Sequence, residues 1–146
     1  MIAIASDHAG FSLKRYIVEY FKNTNQAFID LGCHNEDAVD YPDYSYYLVK
    51  AIAENKANKG ILICGTGIGM SISANRFLFI RAALCINPVM AKFAREHNDA
   101  NVLVLGARVT EQDTALECVK IFENTIFTGK HHQDRVNKLM IRGEEI

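Results

Sequence analysis

The sequence predicts an α/β fold of three layers, a five-stranded parallel sheet covered on both faces by helices. Two observations lead there. Short apolar, β-branched runs recur along the chain, and longer stretches of helical periodicity lie between them. At 146 residues with 49% hydrophobic side chains, the chain has the length and apolar content for one continuous core. The expectation is one domain over residues 1–146, Rossmann-like in layout.

The strands are expected at Ile2 to Ser6, Ala27 to Asp30, Gly60 to Cys64, Ile80 to Cys85 and Val102 to Leu105. Leu13, Ile17, Tyr20 and Phe21 recur at helical spacing, as do Tyr44, Leu48, Ala51 and Ile52 after Pro42. Each stripe should face the sheet. Leu116, Val119, Glu123 and Ile126 mark a helix after the fifth strand. Thr128 to Gln133 is polar, and Val136, Leu139 and Met140 then return as a short terminal helix. A helix that small needs a neighbour, its own sheet layer or a partner subunit.

Sixteen Lys and Arg against 17 Asp and Glu give a net charge of -1. Such a balance offers no positive field for nucleic acid or an anionic membrane, so neither is an expected partner. The opening Met-Ile-Ala-Ile-Ala lacks the features of a secretory signal, and no apolar run approaches a bilayer span. A cytoplasmic location is expected. Cys33, Cys64, Cys85 and Cys118 are scattered without C-x-x-C spacing, which suits reduced thiols better than a disulfide framework or zinc.

In open parallel sheets, ligands bind beyond the carboxyl ends of strands where neighbouring connections diverge. Two loops qualify: Ser6-Asp7-His8-Ala9-Gly10 after the first strand, and Cys64-Gly65-Thr66-Gly67-Ile68-Gly69 after the third, running on into Met70-Ser71. If strands 1 and 3 are neighbours, both loops border one crevice. The glycine-dense turn lets successive backbone N–H groups point inward and form a pocket for negative charge. Its G-x-G-x-G spacing is not the dinucleotide fingerprint, and Thr66 and Gly67 stand where a Walker A motif needs Lys and Ser/Thr. A hydrolase elbow is also absent.

Cys64 lies at the strand end beside this pocket, where oriented amides favour a thiolate. A free cysteine is more often a small apolar filler, and Cys33, Cys85 and Cys118 are read that way. Asp7 and His8 could face the crevice or merely close a turn. Arg95-Glu96-His97-Asn98-Asp99 precedes the fifth strand and also reads as an ordinary helix end. Arg108 follows that strand, and Lys130, His131, His132 and Arg135 crowd the tail. These basic groups could hold a phosphate or stay solvated. No histidine pair shows metal-ligand spacing on a helix, so no metal is expected.

Ser6 to Gly10, Asp40-Tyr41-Pro42, Gly60 to Gly69, Arg95 to Asp99, Gly106-Ala107-Arg108-Val109 and His132-Gln133-Asp134-Arg135-Val136, in that order, resemble ribose-5-phosphate isomerase type B over essentially the full length. The wider group includes galactose-6-phosphate isomerase subunits. The resemblance implies interconversion of ribose 5-phosphate and ribulose 5-phosphate through an enediolate, in the pentose phosphate pathway, without metal or cofactor. It makes Cys64 the base, with the turn from Gly65 through Gly67 and Ile68 to Gly69, and Ser71 beyond it, around the substrate oxygens. Thr66 would assist proton movement, Asp7 and His97 would open the furanose ring, and Asn98 would bond near the sugar oxygens.

The same resemblance gives His8 and several arginines to the phosphate and implies a homodimer, with tetramers possible, in which His97 and Arg108 come from the partner chain and the C-terminal helix packs on it. Arg135 matches one tail arginine. The other position holds His131 after Lys130, and histidine is only partly charged near neutral pH, which implies weaker phosphate binding as pH rises. Two other readings compete: isomerisation of a six-carbon phosphate such as allose or galactose 6-phosphate, and a module that binds a phosphosugar without turnover. An intact Cys64 with Asp7 and His97 argues against mere binding.

Overall fold

Successive side chains of a strand point to opposite sides, and in this chain each side has its own partners. Ile2, Ile4, Ile61, Ile63, Leu103 and Leu105 pack with Leu13, Ile17 and Phe21 and with Ala91, Ala115, Val119 and Phe122. Ala3, Ala5, Leu62, Cys64, Val102 and Val104 instead meet Leu48, Val49, Met70 and Ala74. Each buried Ile, Leu or Phe contributes about 1.5–3 kcal/mol to keeping the layers together.

A computed structural model describes residues 1–144. The strands β1 (Ile2–Ser6), β2 (Phe28–Asp30), β3 (Lys59–Cys64), β4 (Ala82–Leu84) and β5 (Val102–Gly106) form one sheet in the order β2-β1-β3-β5-β4. Every neighbouring pair is parallel. Helices α1 (Phe11–Asn23), α4 (Pro88–Asn98) and α5 (Gln112–Asn124) cover one face, while α2 (Tyr41–Ala53) and α3 (Ile68–Ala74) cover the other. The terminal helix α6 (His131–Glu144) lies against α4 of the same chain. Among the described residues, no helix is long and apolar enough to cross a membrane.

Local chemistry explains the helix boundaries that matter for the site. Asn87 accepts the Met90 N–H at 2.9 Å and Pro88 opens the first turn, a conventional start for α4. The helix stops at Asp99, which takes a left-handed φ of 46°. Arg95 and Arg81 both bond the Asp99 carboxylate, at 2.9 and 2.8 Å, and Arg95 also donates to the Ala100 carbonyl. In the Arg95–Asp99 run, two of the five residues therefore build the helix end.

Three sequence expectations need correction. Helix α5 buries Ala115, Cys118, Val119 and Phe122; Leu116 and Glu123 are only partly covered, and Ile126 lies beyond the helix, 80% exposed. Small Ala115 and Cys118 fill the sheet-facing stripe that bulkier side chains were expected to fill. Strand β4 is shorter than its apolar run, because it is an edge strand paired only with β5 and Arg81 is committed to Asn101 and Asp99. The terminal helix starts at His131, earlier than the polar composition suggests, after left-handed Gly129 and Lys130.

Candidate active site

The connection from β1 leaves over one face through α1, and the connection from β3 leaves over the other through α3. Because β1 and β3 are neighbours, this divergence opens a crevice at their carboxyl ends, bordered by both predicted loops. Cys64 is the last residue of β3, and its side chain points to the α2/α3 face, beneath the first turn of α3. The thiol is nearly buried, at 5% exposure, and its Sγ accepts the Gly67 N–H at 3.1 Å.

Gly67 adopts φ +81°, and a Cβ there would stand 2.4 Å from Leu84 Cδ1. Glycine takes this left-handed φ without strain, and any side chain here would also have to push the Leu84 methyl aside. Thr66 Oγ1 accepts the Ile68 N–H at 3.3 Å. The amides of Gly65, Thr66, Gly69 and Met70 take no protein partner among the described residues. Uncommitted amides on a glycine-rich turn are donors for an oxyanion. Ser71 lies one turn into α3, where its Oγ faces the Asn75 amide at 3.4 Å.

On the opposite lip, Asp7 is 7% exposed and its Oδ1 accepts the Gly10 N–H at 3.0 Å, closing the loop. His8 is half-buried, with Nδ1 at 3.2 Å from both the carbonyl oxygen and the nitrogen of Val39. Arg108 lies over Gly65 of its own chain: its Nη1 is 3.2 Å from where a Gly65 Cβ would stand. This placement corrects the expectation that Arg108 reaches the site from a partner. Residue pairing Cys64↔Gly106 puts the end of β5 directly beside the end of β3. Beyond Arg108 a cavity of about 390 Å³ runs to Ser12, Thr110 and Gln112.

The remaining candidates form a second group. His97 and Asn98 end α4, which runs back from the carboxyl edge of the sheet, so they lie at the opposite edge from Cys64. His97 stacks between Phe93 and His132, with centroids 4.7 and 4.2 Å away, and His131 follows at 4.1 Å. His97, Asn98, His132 and Arg135 line a cavity of about 310 Å³. Burial in the stack lowers the His132 pKa, and positive charge at His131, His97 and Arg135 pushes the same way. One chain thus brings Asp7, His8, Cys64 to Gly69, Ser71 and Arg108 together, and holds His97, Asn98, His131 and Arg135 apart.

Tyr41 was not singled out for the site. Its ring lies flat on the first turn of α3, with Cζ 2.7 Å from a Gly69 Cβ position. The available signal was an aromatic residue at a helix start beside Pro42, which by itself says nothing about its partner. Among the described residues, no group of three or more His, Cys, Asp or Glu is placed to hold a metal ion.

Comparison with known proteins agrees with this fold. Residues 2–139 match the family model described as Ribose/Galactose Isomerase. Ribose-5-phosphate isomerase B of Escherichia coli is 41% identical, over 94% of this chain and 93% of its own. The solved ribose-5-phosphate isomerase B of Clostridium thermocellum superposes with a TM-score of 0.96 at 44% identity, covering 99% of this chain and 97% of that one. The Mycoplasma genitalium enzyme of the same name, solved with bound ribulose-5-phosphate, gives 0.94 at 37% identity over 99% and 97%. A match across nearly the whole chain, in sequence and in architecture, means that this protein belongs to the ribose/galactose isomerase family.

Proposed function

We propose that the protein interconverts ribose 5-phosphate and ribulose 5-phosphate through an enediolate, with Cys64 as the base, in the cytoplasm. One observation carries the reading: the Cys64 sulfur shares a turn with the uncommitted amides of Gly65, Thr66, Gly69 and Met70. A carbon acid as weak as an aldose C2 yields its proton only if the growing oxyanion is met by preorganised donors. In the open-chain aldose, the thiolate takes the C2 proton while the C1 carbonyl electrons move onto O1. Thr66, whose hydroxyl keeps its proton while accepting from Ile68, helps move a proton from O2 to O1. The thiol then returns hydrogen to C1, leaving a ketone at C2.

His8 and Arg108, on either side of the Cys64 turn, would hold the phosphate from the same chain. A homodimer completes the site, the His97, Asn98, His131 and Arg135 group of one chain facing the Cys64 group of the other. Exposed apolar surface around the β4 edge supports this pairing. Ile68 and Ile72 on α3, Leu78 and Phe79 before β4, Val89 and Phe93 on α4, and Leu139 on α6 are all at least 38% exposed. Leu78 and Leu139 also line a cavity of about 420 Å³ with Phe77, Ile80 and Asn98. Large apolar side chains left exposed in this number are what an association surface would cover.

The test is turnover of the purified protein with ribose 5-phosphate, allose 6-phosphate and galactose 6-phosphate, using substrate deuterated at C2. Preference for the pentose, with deuterium lost to water or passed to C1, is expected. Turnover of the hexose phosphates alone would remove the pentose assignment. Full retention of deuterium at C2 would remove the enediolate.

A further inference from the structure

His8 holds an unusual position with respect to one backbone residue. Its Nδ1 lies 3.2 Å from the Val39 carbonyl oxygen and 3.2 Å from the Val39 nitrogen, each within hydrogen-bonding geometry. The same ring atom can therefore donate to Val39 or accept from it without moving. Val39 is 31 residues away in sequence, in the loop that leads from β2 into α2.

We propose that Val39 is a positioning residue for His8: its backbone N–H and C=O together keep Nε2 available as an N–H donor to an anion in the crevice, whether the imidazole is neutral or charged. This rests on reading His8 as a phosphate contact. In the charged ring both nitrogens carry protons, so Nδ1–H donates to the Val39 carbonyl and Nε2–H faces outward. When the ring loses a proton beside an anion, the Val39 N–H donates to the freed lone pair on Nδ1, and Nε2 keeps its hydrogen. A carbonyl alone would do the reverse. It would retain the proton on Nδ1 and turn an Nε2 lone pair toward the phosphate, replacing attraction with repulsion.

The titratable and charged side chains of the neighbouring segments are Asp7, next to His8 in sequence, Cys33, His34, Glu36, Asp37 and Asp40 in the loop that carries Val39, Tyr41 at the start of α2, Cys64 at the end of β3, and Arg108 over Gly65. Asp7 is already engaged by the Gly10 N–H. Arg108, always charged, adds phosphate attraction that does not change with pH. The arrangement differs from that at His131, which has no such backbone pair among its described hydrogen bonds to fix which ring nitrogen keeps the proton.

The experiment is ¹⁵N NMR of histidine-labelled protein at pH 8 with saturating inorganic phosphate, resonances being assigned through His8→Gln. The expected result is an unprotonated Nδ1 and a protonated Nε2 on His8, with Nε2 moved by phosphate. A His8 that responds to phosphate yet carries its neutral proton on Nδ1 overturns the proposal alone. A His8 blind to phosphate overturns the phosphate-contact reading as well. Val39→Pro removes the N–H and keeps the carbonyl. Its KM for the sugar phosphate relative to the unsubstituted protein should be near one at pH 6 and rise about tenfold at pH 8, the effect of one hydrogen bond to a charged group. A ratio equal at both pH values would mean only a structural role for the loop and would overturn the proposal. Should Val39→Pro not fold, the tautomer measurement decides.

Discussion

Gly67 donates its backbone N–H to the sulfur of Cys64 across 3.1 Å. An amide aimed at sulfur stabilises the thiolate more than the thiol, because hydrogen bonds to a charged acceptor are the stronger ones. Cys64→Ala should fold, keep its KM for sugar phosphate within a small factor, and lose kcat by roughly 10²–10⁴, the range of a positioned acid–base group. Steady-state kinetics decide this. Retained kcat would assign the proton to another residue.

The two groups of candidate residues stand at opposite edges of one sheet, which makes a subunit-mixing test possible. Cys64→Ala and His97→Ala should each be nearly inactive alone. Denatured together and refolded, they should recover activity, because a mixed dimer has one site with an intact Cys64 from one chain and an intact His97 from the other. No recovery, with mixed dimers demonstrated by a tag on one variant, would remove the shared site.

Lys14 on α1 is 1% exposed and pairs with Asp30 at the end of β2, whose Oδ1 also accepts the Gly32 N–H at 2.9 Å. Removing Lys14 leaves Asp30, 28% exposed, with only the Gly32 N–H and water. Lys14→Met should lower unfolding free energy by about 1–3 kcal/mol, between the exposed and the fully buried case, measured by denaturant titration. A loss below 1 kcal/mol would mean that water reaches Asp30 easily.

Burial pushes the Cys85 thiol up to about 12 and the Cys118 thiol up to about 11 from the ordinary 9.0. Well below pH 9 neither state has ionised and the thiols exert no pH effect. Above it the unfolded chain releases protons that the folded chain retains, so stability falls as pH rises, by about 1.4 kcal/mol per pH unit for each thiol until its folded pKa is reached. Denaturation midpoints from pH 8 to pH 10.5 should fall less steeply for Cys118→Ala than for the unsubstituted protein. Parallel slopes would contradict the buried, neutral thiol.

The central strands were legible in the sequence because burial on both faces leaves a nearly continuous apolar run; β1 begins and ends where expected. Edges were less legible, as β2 and β4 show, since pairing on one side stops before the apolar residues do. The Cys64 turn could be read from glycine density alone. What could not be read were contacts between distant segments: Val39 on His8, Tyr41 on Gly69, Arg108 on Gly65. Each depends on which strands become neighbours, and the β2-β1-β3-β5-β4 order is a three-dimensional outcome.

Strand β3 divides its side chains between two different interiors: Ile63 belongs with α1, α4 and α5, and Cys64, one step later, with α2 and α3. A single inserted or deleted residue upstream in β3 would rotate the sulfur to the opposite layer, far from the amides of its own turn. Parity along six consecutive residues therefore constrains the evolution of this strand more tightly than hydrophobicity does. Length changes can be absorbed in the loops before Lys59, where no such two-sided bookkeeping applies.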